Sequence, residues 1–158
     1  MADAPPPDWL FTTRLTIRVS DLNYGGHLAN DRVLGLFHEI RVRWFATEGW
    51  SERDIGGVGV VQTEAEVSYR SQGHLGEGLC GGLRPTELKS RGFTLAYRLW
   101  VEDSGREIAR GSTTLRFFDY PRQTLAHTPK TFAERIGPLL DTRVRRQALS
   151  NPAHPIRE

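Results

Sequence analysis

The stretch Val19-Ser20-Asp21-Leu22-Asn23-Tyr24-Gly25-Gly26-His27-Leu28-Ala29-Asn30 separates two segments with different hydrophobic periods. Before it, residues 9–19 alternate between apolar and polar side chains, which is typical of a half-buried β-strand. After it, residues 31–48 repeat apolar side chains at helical spacing. The stretch itself is rich in Asn, Asp and Gly, so it predicts a loop leading from a strand into a long helix, with Asn30 or Asp31 as the cap.

The predicted helix carries a broad apolar stripe that needs burial on several sides. After it the period returns to two, which predicts further strands, and Pro85 indicates a bulge or an edge in one of them. A curved antiparallel sheet wrapped around a long central helix satisfies this order, so the predicted fold class is α+β. The helix stripe comprises Val33, Phe37, Ile40 and Trp44, and the later strands are predicted at residues 61–69, 79–90, 93–101 and 109–117.

In the first of these later strands, alternation separates two faces. The more apolar face, which is expected to be buried, would hold Val61, Thr63, Ala65, Val67 and Tyr69.

The length of 158 residues fits one domain with a real core. Residues 1–8 contain three prolines and are expected to be a disordered or extended lead-in. Residues 9–135 would form the domain, and residues 136–158 a C-terminal helix and tail. That helix is expected at residues 130–149, with an interruption near Pro138.

Composition excludes several classes of function. A net charge of +2 is too small to argue for nucleic-acid binding, and the single cysteine, Cys80, excludes an internal disulfide and a cysteine-based metal site. There is no metal-ligand spacing of His, Asp or Glu and no apolar run of about 18 residues, so neither a metal nor a membrane span is expected. The N-terminus lacks a basic region typical of a signal peptide, which makes a cytoplasmic location the default expectation.

The loop together with His38-Glu39-Ile40-Arg41 resembles the signature of the hot-dog-fold thioesterases. The resemblance is to 4-hydroxybenzoyl-CoA thioesterase, and equally to short-chain acyl-CoA and acyl-carrier-protein thioesterases. It spans roughly residues 10–135 and continues through Val67-Ser68-Tyr69 and Ser90-Arg91-Gly92-Phe93-Thr94. It implies a hot-dog fold, hydrolysis of an acyl-CoA thioester, a homodimer or homotetramer, and no cofactor beyond the coenzyme A of the substrate.

Many relatives carry an acidic residue, acting as base or nucleophile, at the position that Asn23 occupies here. An asparagine side chain can hold a water molecule or form an Asx-turn, but it cannot accept a proton. Asp21 matches an acidic residue two places earlier, which in such sequences is more often structural; it is kept as a catalytic candidate. His27 is a further candidate base, since imidazole titrates near neutral pH, or it could simply hydrogen-bond the loop.

The glycines of the loop suggest how a thioester could be polarised. Gly25 and Gly26 would let substrate approach the backbone closely, and the amides of Gly26, His27 and Leu28 would polarise the thioester carbonyl at the positive end of the helix. The alternative is a Gly-rich turn with no such role.

Glu39 is a candidate general base on the helix, with Gly35 one turn earlier leaving a hollow beside it. The alternative is an exposed ion pair between Glu39 and Arg43.

Lys89, Ser90 and Arg91 could bind the phosphates of CoA, or they could be an ordinary polar connection between strands.

Three rival functions remain open. A hot-dog hydratase or dehydratase is the first, although the Pro-rich entry after a histidine that such enzymes usually carry is missing. A non-catalytic acyl-CoA or acyl-carrier-protein binding protein is the second, which Asn23 in place of an acidic residue keeps open. A pure interaction module is the third, suggested by an outward-facing Trp100 and an arginine cluster late in the chain.

Overall fold

The computed structural model describes residues 9–150, with side chains for residues 9–140. The elements are β1 (Phe11–Thr16), a 3-10 turn (Val19–Asp21), α1 (Asn30–Thr47), β2 (Gly59–Tyr69), β3 (Gly78–Lys89), β4 (Gly92–Val101), β5 (Glu107–Asp119), β6 (Thr124–Leu125) and α2 (Lys130–Ser150). The strands form a six-stranded antiparallel sheet in the order β1-β3-β4-β5-β2, with β6 paired to β5, and the long helix α1 lies against one face. The predicted α+β hot-dog arrangement is therefore confirmed. The expected lead-in at residues 1–8 lies outside the described part.

The apolar stripe of α1 is buried against the sheet as predicted. Phe37 and Ile40 are fully buried. Two glycines bring the helix close, because a Cβ built on Gly81 would lie 2.4 Å from Ile40 and one on Gly111 would lie 2.8 Å from Phe37. The face that carries these glycines is called the helix face below, and the opposite face the outer face.

The end of the sheet near the C-terminus of α1 is filled by aromatic rings. Phe132 from α2 lies 4.5 Å from Phe93 and 5.1 Å from Trp50, measured between ring centroids. The helix α2 runs through Pro138 without the interruption that the sequence predicted. The domain boundary expected at residue 135 lies inside this helix, whose Ile136 belongs to the core.

The predicted buried face of β2 is only partly correct, since Ala65, Val67 and Tyr69 pair with helix-face residues of β5 whereas Val61 pairs with Arg116 on the outer face. The pairing of β2 with β5 shifts between Gln62 and Glu64, so Thr63 forms a bulge and the alternation changes phase there. Gln62 thereby turns to the helix face, while Ala65 and Tyr69 are exposed because β2 ends the sheet and no strand lies beyond it.

The bulge predicted at Pro85 is confirmed. The register between β3 and β4 shifts between Pro85 and Glu87. The partner strand on the other side has already ended, since β1 pairs with β3 only as far as Leu83. Proline is tolerated there because no ladder hydrogen bond from its nitrogen is required.

Candidate functional site

The loop before α1 is organised around the side chain of Asn23. Its Oδ1 atom accepts the backbone N–H of Gly25 at 2.9 Å and that of His27 at 3.2 Å. The amide of Asn23 donates to the carbonyl of His27 at 2.8 Å. Asn23 therefore closes an Asx-type turn, the alternative that the sequence left open.

The three amides expected to polarise a carbonyl are already bonded within the protein. Gly26 donates to the carbonyl of Asn23 at 3.0 Å, His27 donates to the Asn23 side chain, and Leu28 donates to the carbonyl of Gly73 at 2.8 Å. The assignment of Gly26, His27 and Leu28 as carbonyl-binding donors is wrong for this reason. Leu28 is instead a core residue.

Open amides occur slightly later, at the start of α1. The N-cap position is Ala29, no side chain caps it, and the predicted capping by Asn30 or Asp31 is not observed. The amides of Asn30 and Asp31 are too early for intrahelical bonds, and none of the hydrogen bonds among the described residues uses them. The partial positive charge at the N-terminus of α1 is therefore exposed at the surface.

His27 is half-buried beside this helix start. Its ring packs edge-on against the ring of His74 at 4.9 Å, and the two residues form an isolated β-bridge. A Cβ built on Gly25 would lie 3.3 Å from His27 Nδ1, so a side chain there would crowd the imidazole. The absence of a side chain at Gly25 thus avoids crowding of that nitrogen.

Asp21 holds the loop in place. Its carboxylate accepts the N–H of Arg18 at 2.8 Å, and its carbonyl accepts the N–H of Ala29 at 2.8 Å. Both contacts are the kind that fix a turn, so the geometry supports the structural interpretation of this residue.

Glu39 does not lie with the loop residues. Its carboxylate pairs with Arg43 at 2.8 Å, and Arg43 also donates to the carbonyl of Arg14 at 2.7 Å and to Thr13 Oγ1 at 2.8 Å. These contacts place Glu39 on the side of α1 that faces β1, the sheet edge opposite to β2. Gly35, one turn earlier, has open space beside it, as expected.

Lys89, Ser90 and Arg91 form the turn between β3 and β4, at the other end of the sheet from the loop. Because β3 begins near the loop and rises about 3.3 Å per residue, the full length of this strand, about 36 Å along the chain, separates the turn from the loop. Within one protomer the two predicted parts of the site therefore do not meet. Thr128 fixes the turn by donating to the carbonyls of Lys89 and Ser90 at 2.6 and 2.9 Å.

A buried arginine on α1 was missed as a site residue by the sequence interpretation. Arg41 is 4% exposed and donates to Gln62 Oε1 and to the hydroxyl of Tyr97, both at 3.1 Å. The Tyr97 hydroxyl also bonds Thr113 at 2.8 Å, and burial raises the pKa of this tyrosine. Four residues after Phe37 in the apolar stripe, an arginine is unusual enough to have indicated such a network.

The same network reaches the surface through a histidine–glutamate pair. His38 Nε2 bonds the carboxylate of Glu52, which also lies 3.7 Å from the guanidinium of Arg41. This group lies on the side of α1 that faces β2.

Neither a metal site nor a membrane-spanning helix occurs among the described residues. No group of three or more His, Cys, Asp or Glu side chains there could hold a metal ion. No helix in that part of the chain is both long and apolar enough to span a membrane.

A family profile described as the thioesterase-like superfamily matches residues 17–136. No curated protein sequence matches the chain.

Solved structures share the fold. A 1,4-dihydroxy-2-naphthoyl-CoA thioesterase from Synechocystis superposes with a TM-score of 0.73 at 22% identity, covering 80% of this chain and 94% of that one. A hypothetical protein from Staphylococcus aureus, solved in complex with CoA, gives 0.74 at 18% identity, covering 83% and 84%. A thioesterase from Thermus thermophilus, complexed with coenzyme A and Zn, gives 0.70 at 23% identity, covering 82% and 94%.

Proposed function

Because the chain belongs to the thioesterase-like superfamily, we propose that it hydrolyses an acyl-CoA thioester to the free acid and CoA. The observation that carries the proposal is the uncapped start of α1, whose two open amides follow the half-buried His27 by three and four residues along the chain. Two similar folds were solved with CoA, which supports a CoA ester as the substrate class.

The thioester carbonyl oxygen would bind the amides of Asn30 and Asp31. Charge develops on that oxygen as water attacks the carbonyl carbon, and donors at a helix N-terminus stabilise it. One such donor is worth about 3 kcal/mol in a comparable hydrolase site. The binding position is thus the helix start rather than the glycine turn before it.

His27 would accept the proton of the attacking water. The carbonyl carbon gains the hydroxyl oxygen, the C–S bond breaks, and the imidazolium returns its proton to the CoA thiolate. The products are one carboxylic acid and one free thiol. Asn23 would keep the His27 backbone in place through its bond to that amide.

The site would be completed across a homodimer formed along β2. The start of its outer edge is covered, since the N–H of Val60 donates to the carbonyl of Glu52 and its carbonyl accepts the hydroxyl of Tyr120. Arg70 donates to the carbonyl of Ile108, so by alternation the N–H and C=O groups of Val67 and Tyr69 point to the open edge. An edge of this kind pairs readily with a second copy.

Antiparallel pairing of two β2 strands would place opposite ends of the two sheets together. The turn of Lys89, Ser90 and Arg91 lies at the end where β2 begins, because Gly92 pairs with Arg116 and Gly59 with Phe118. The turn of one protomer would therefore approach the loop of its partner. Its two cations would bind the phosphates of CoA.

Complementation between two inactive variants tests the shared site. One variant is His27→Ala and the other is Lys89→Ala with Arg91→Ala. When the two variants are refolded as a mixture, about half of the dimers are heterodimers. Each heterodimer has one site that carries all the changes and one intact site. Release of free thiol from acyl-CoA esters should therefore recover to about a quarter of the wild-type rate. No recovery on mixing would place all these residues in one protomer or outside the site.

One observation favours a second function, non-catalytic binding of acyl-CoA or acyl-carrier-protein esters. Asn23 cannot accept a proton, and its side-chain oxygen is committed to two backbone amides. A panel of aliphatic and aromatic CoA esters separates the two functions. Binding without thiol release from any ester would establish the binding protein and refute the hydrolase.

A further inference from the structure

The hydroxyl of Tyr69 is the one side-chain group among residues 9–140 that bonds the backbone at the start of α1. It donates to the carbonyl of Asn30 at 3.0 Å. No other side chain in that part of the chain bonds the backbone of residues 29–31, and none caps the helix. A residue that lies 39 positions later in the sequence therefore orients the first peptide unit of α1.

Tyr69 is the last residue of β2, and the strand fixes its position. It pairs with the buried Ala109 of β5, so its ring lies on the helix face. Directly after it, the N–H groups of Arg70 and Ser71 both donate to the carbonyl of Ile108, at 2.9 and 3.2 Å. The phenol is thus carried by a strand end that is bonded to its neighbour, and not by a free loop.

The bonded carbonyl belongs to the same peptide unit as the N–H of Asp31, one of the two amides proposed to bind the thioester oxygen. In a trans peptide the C=O and N–H groups point to opposite sides. The phenol therefore approaches from the side of α1 and leaves the N–H at the helix end free. A helical carbonyl also accepts the N–H four residues later, and its second lone pair is available to the phenol.

We infer that Tyr69 is a positioning residue for this donor. Its hydroxyl holds and polarises the peptide between Asn30 and Asp31, which makes the Asp31 N–H a stronger donor to the substrate oxygen. The inference rests on the proposed function, since it concerns the same carbonyl-binding amides. A hydrogen bond accepted by the C=O end of a peptide strengthens the bond that its N–H end donates. A peptide fixed in advance also needs no reorganisation as charge develops on the oxygen.

The hydroxyl is not needed to hold the start of α1 against the sheet. Leu28 already donates to the carbonyl of Gly73 at 2.8 Å, and His27 and His74 form a β-bridge just beyond the end of β2. A Cβ built on Gly73 would lie 3.1 Å from Leu28 Cβ, so the two segments are in contact as well. Loss of the Tyr69 hydroxyl should therefore leave the fold and substrate binding intact, which separates a positioning role from a purely structural one.

Tyr69→Phe removes only the hydroxyl and tests the inference. The kcat for thiol release should fall about three- to tenfold, with less than about a twofold change in KM. This is a fraction of the loss of about 100- to 1,000-fold that follows removal of a whole oxyanion donor. Tyr120→Phe is the matched control, because the hydroxyl of Tyr120 also donates to a backbone carbonyl, that of Val60 at 2.8 Å, near the other end of β2. It should leave kcat unchanged.

A second measurement does not require turnover. Ketone analogues of hexanoyl-CoA and benzoyl-CoA, in which a methylene group replaces the thioester sulfur, keep the carbonyl and cannot be hydrolysed. Infrared difference spectroscopy follows the stretch of their isotope-labelled carbonyl. The frequency should fall on binding to wild type and to Tyr120→Phe. It should fall less on binding to Tyr69→Phe, because a weaker donor polarises the carbonyl less.

The inference is overturned if the carbonyl frequency of the bound ketone in Tyr69→Phe equals that in wild type, whatever the kcat of the variant. It is equally overturned if Tyr120→Phe shows the same changes. Absence of thiol release from wild type would refute the proposed hydrolysis instead, and the carbonyl frequencies then decide the role of Tyr69 on their own. Circular dichroism and thermal unfolding check that each variant is folded.

Discussion

The side-chain oxygen of Asn23 holds the backbone N–H of His27 at 3.2 Å. Asn23 occupies the position at which many relatives carry an acidic residue. Its side chain therefore fixes the backbone of His27, the residue that we propose as the proton acceptor. Asn23→Ala removes an acceptor shared with Gly25, and a lost cap of this kind costs about 1 kcal/mol. We expect thermal unfolding to shift downward and turnover to fall.

Asn23→Asp keeps the acceptor and is the matched control. It should retain the stability of wild type, since a carboxylate can accept the same two amides. Differential scanning calorimetry compares the variants. Equal destabilisation by both changes would contradict the assigned role of the side-chain oxygen.

His27→Ala should lower kcat about 100-fold, the usual contribution of a general base, with a small change in KM. His74→Ala is the control because its ring packs on that of His27 while it lies outside the proposed path of the proton. Steady-state thiol release measures both. If the two variants lose the same activity, the effect comes from the packing of the two rings and not from proton transfer.

Glu39→Gln should change kcat less than about twofold. The carboxylate is paired with Arg43 on the β1 side of α1, and such pairs contribute about 0.3–0.5 kcal/mol. The same thiol-release assay and a urea unfolding curve check the two quantities. A loss of kcat of more than about tenfold would return Glu39 to the catalytic site.

The parts of the fold that follow from local periodicity could be predicted from the sequence. The strand, the loop and α1 with its buried stripe were all predicted, because a repeat of two or 3.6 residues with one apolar face leaves few alternatives. The bulge at Thr63 could not be predicted, since it depends on the register with β5 and no proline or glycine marks it.

The site was harder to predict for the same physical reason. Which amides of the loop stay open depends on tertiary partners such as the carbonyl of Gly73, which binds Leu28. Which side of α1 faces the open edge depends on the strand order, and this order places Glu39 on the β1 side, away from the edge formed by β2.

Tyr97→Phe should destabilise the fold by about 1–3 kcal/mol. The hydroxyl accepts a bond from the buried Arg41 and bonds Thr113, so its removal leaves a buried cation short of an acceptor. The ring itself should keep its stacking on Phe37 at 4.7 Å. A double-mutant cycle with Thr113→Val measures the coupling, and independent effects of the two changes would contradict a shared network.

Glu107 should make stability depend on pH in the acid range. Hydrogen bonds from Arg110 and Arg98 hold the pKa of Glu107 below its usual range. The folded protein therefore binds this proton less readily than the unfolded chain, whose glutamates titrate near about 4.3. The contribution is present above that pH and is lost as pH falls through the lower folded pKa. Glu107→Gln should flatten the fall in unfolding free energy across that window, measured by urea unfolding at fixed protein concentration. Glu134→Gln, at an exposed position of α2, is the control and should leave that fall unchanged. An unchanged pH slope in Glu107→Gln would show that other carboxylates carry the acid sensitivity.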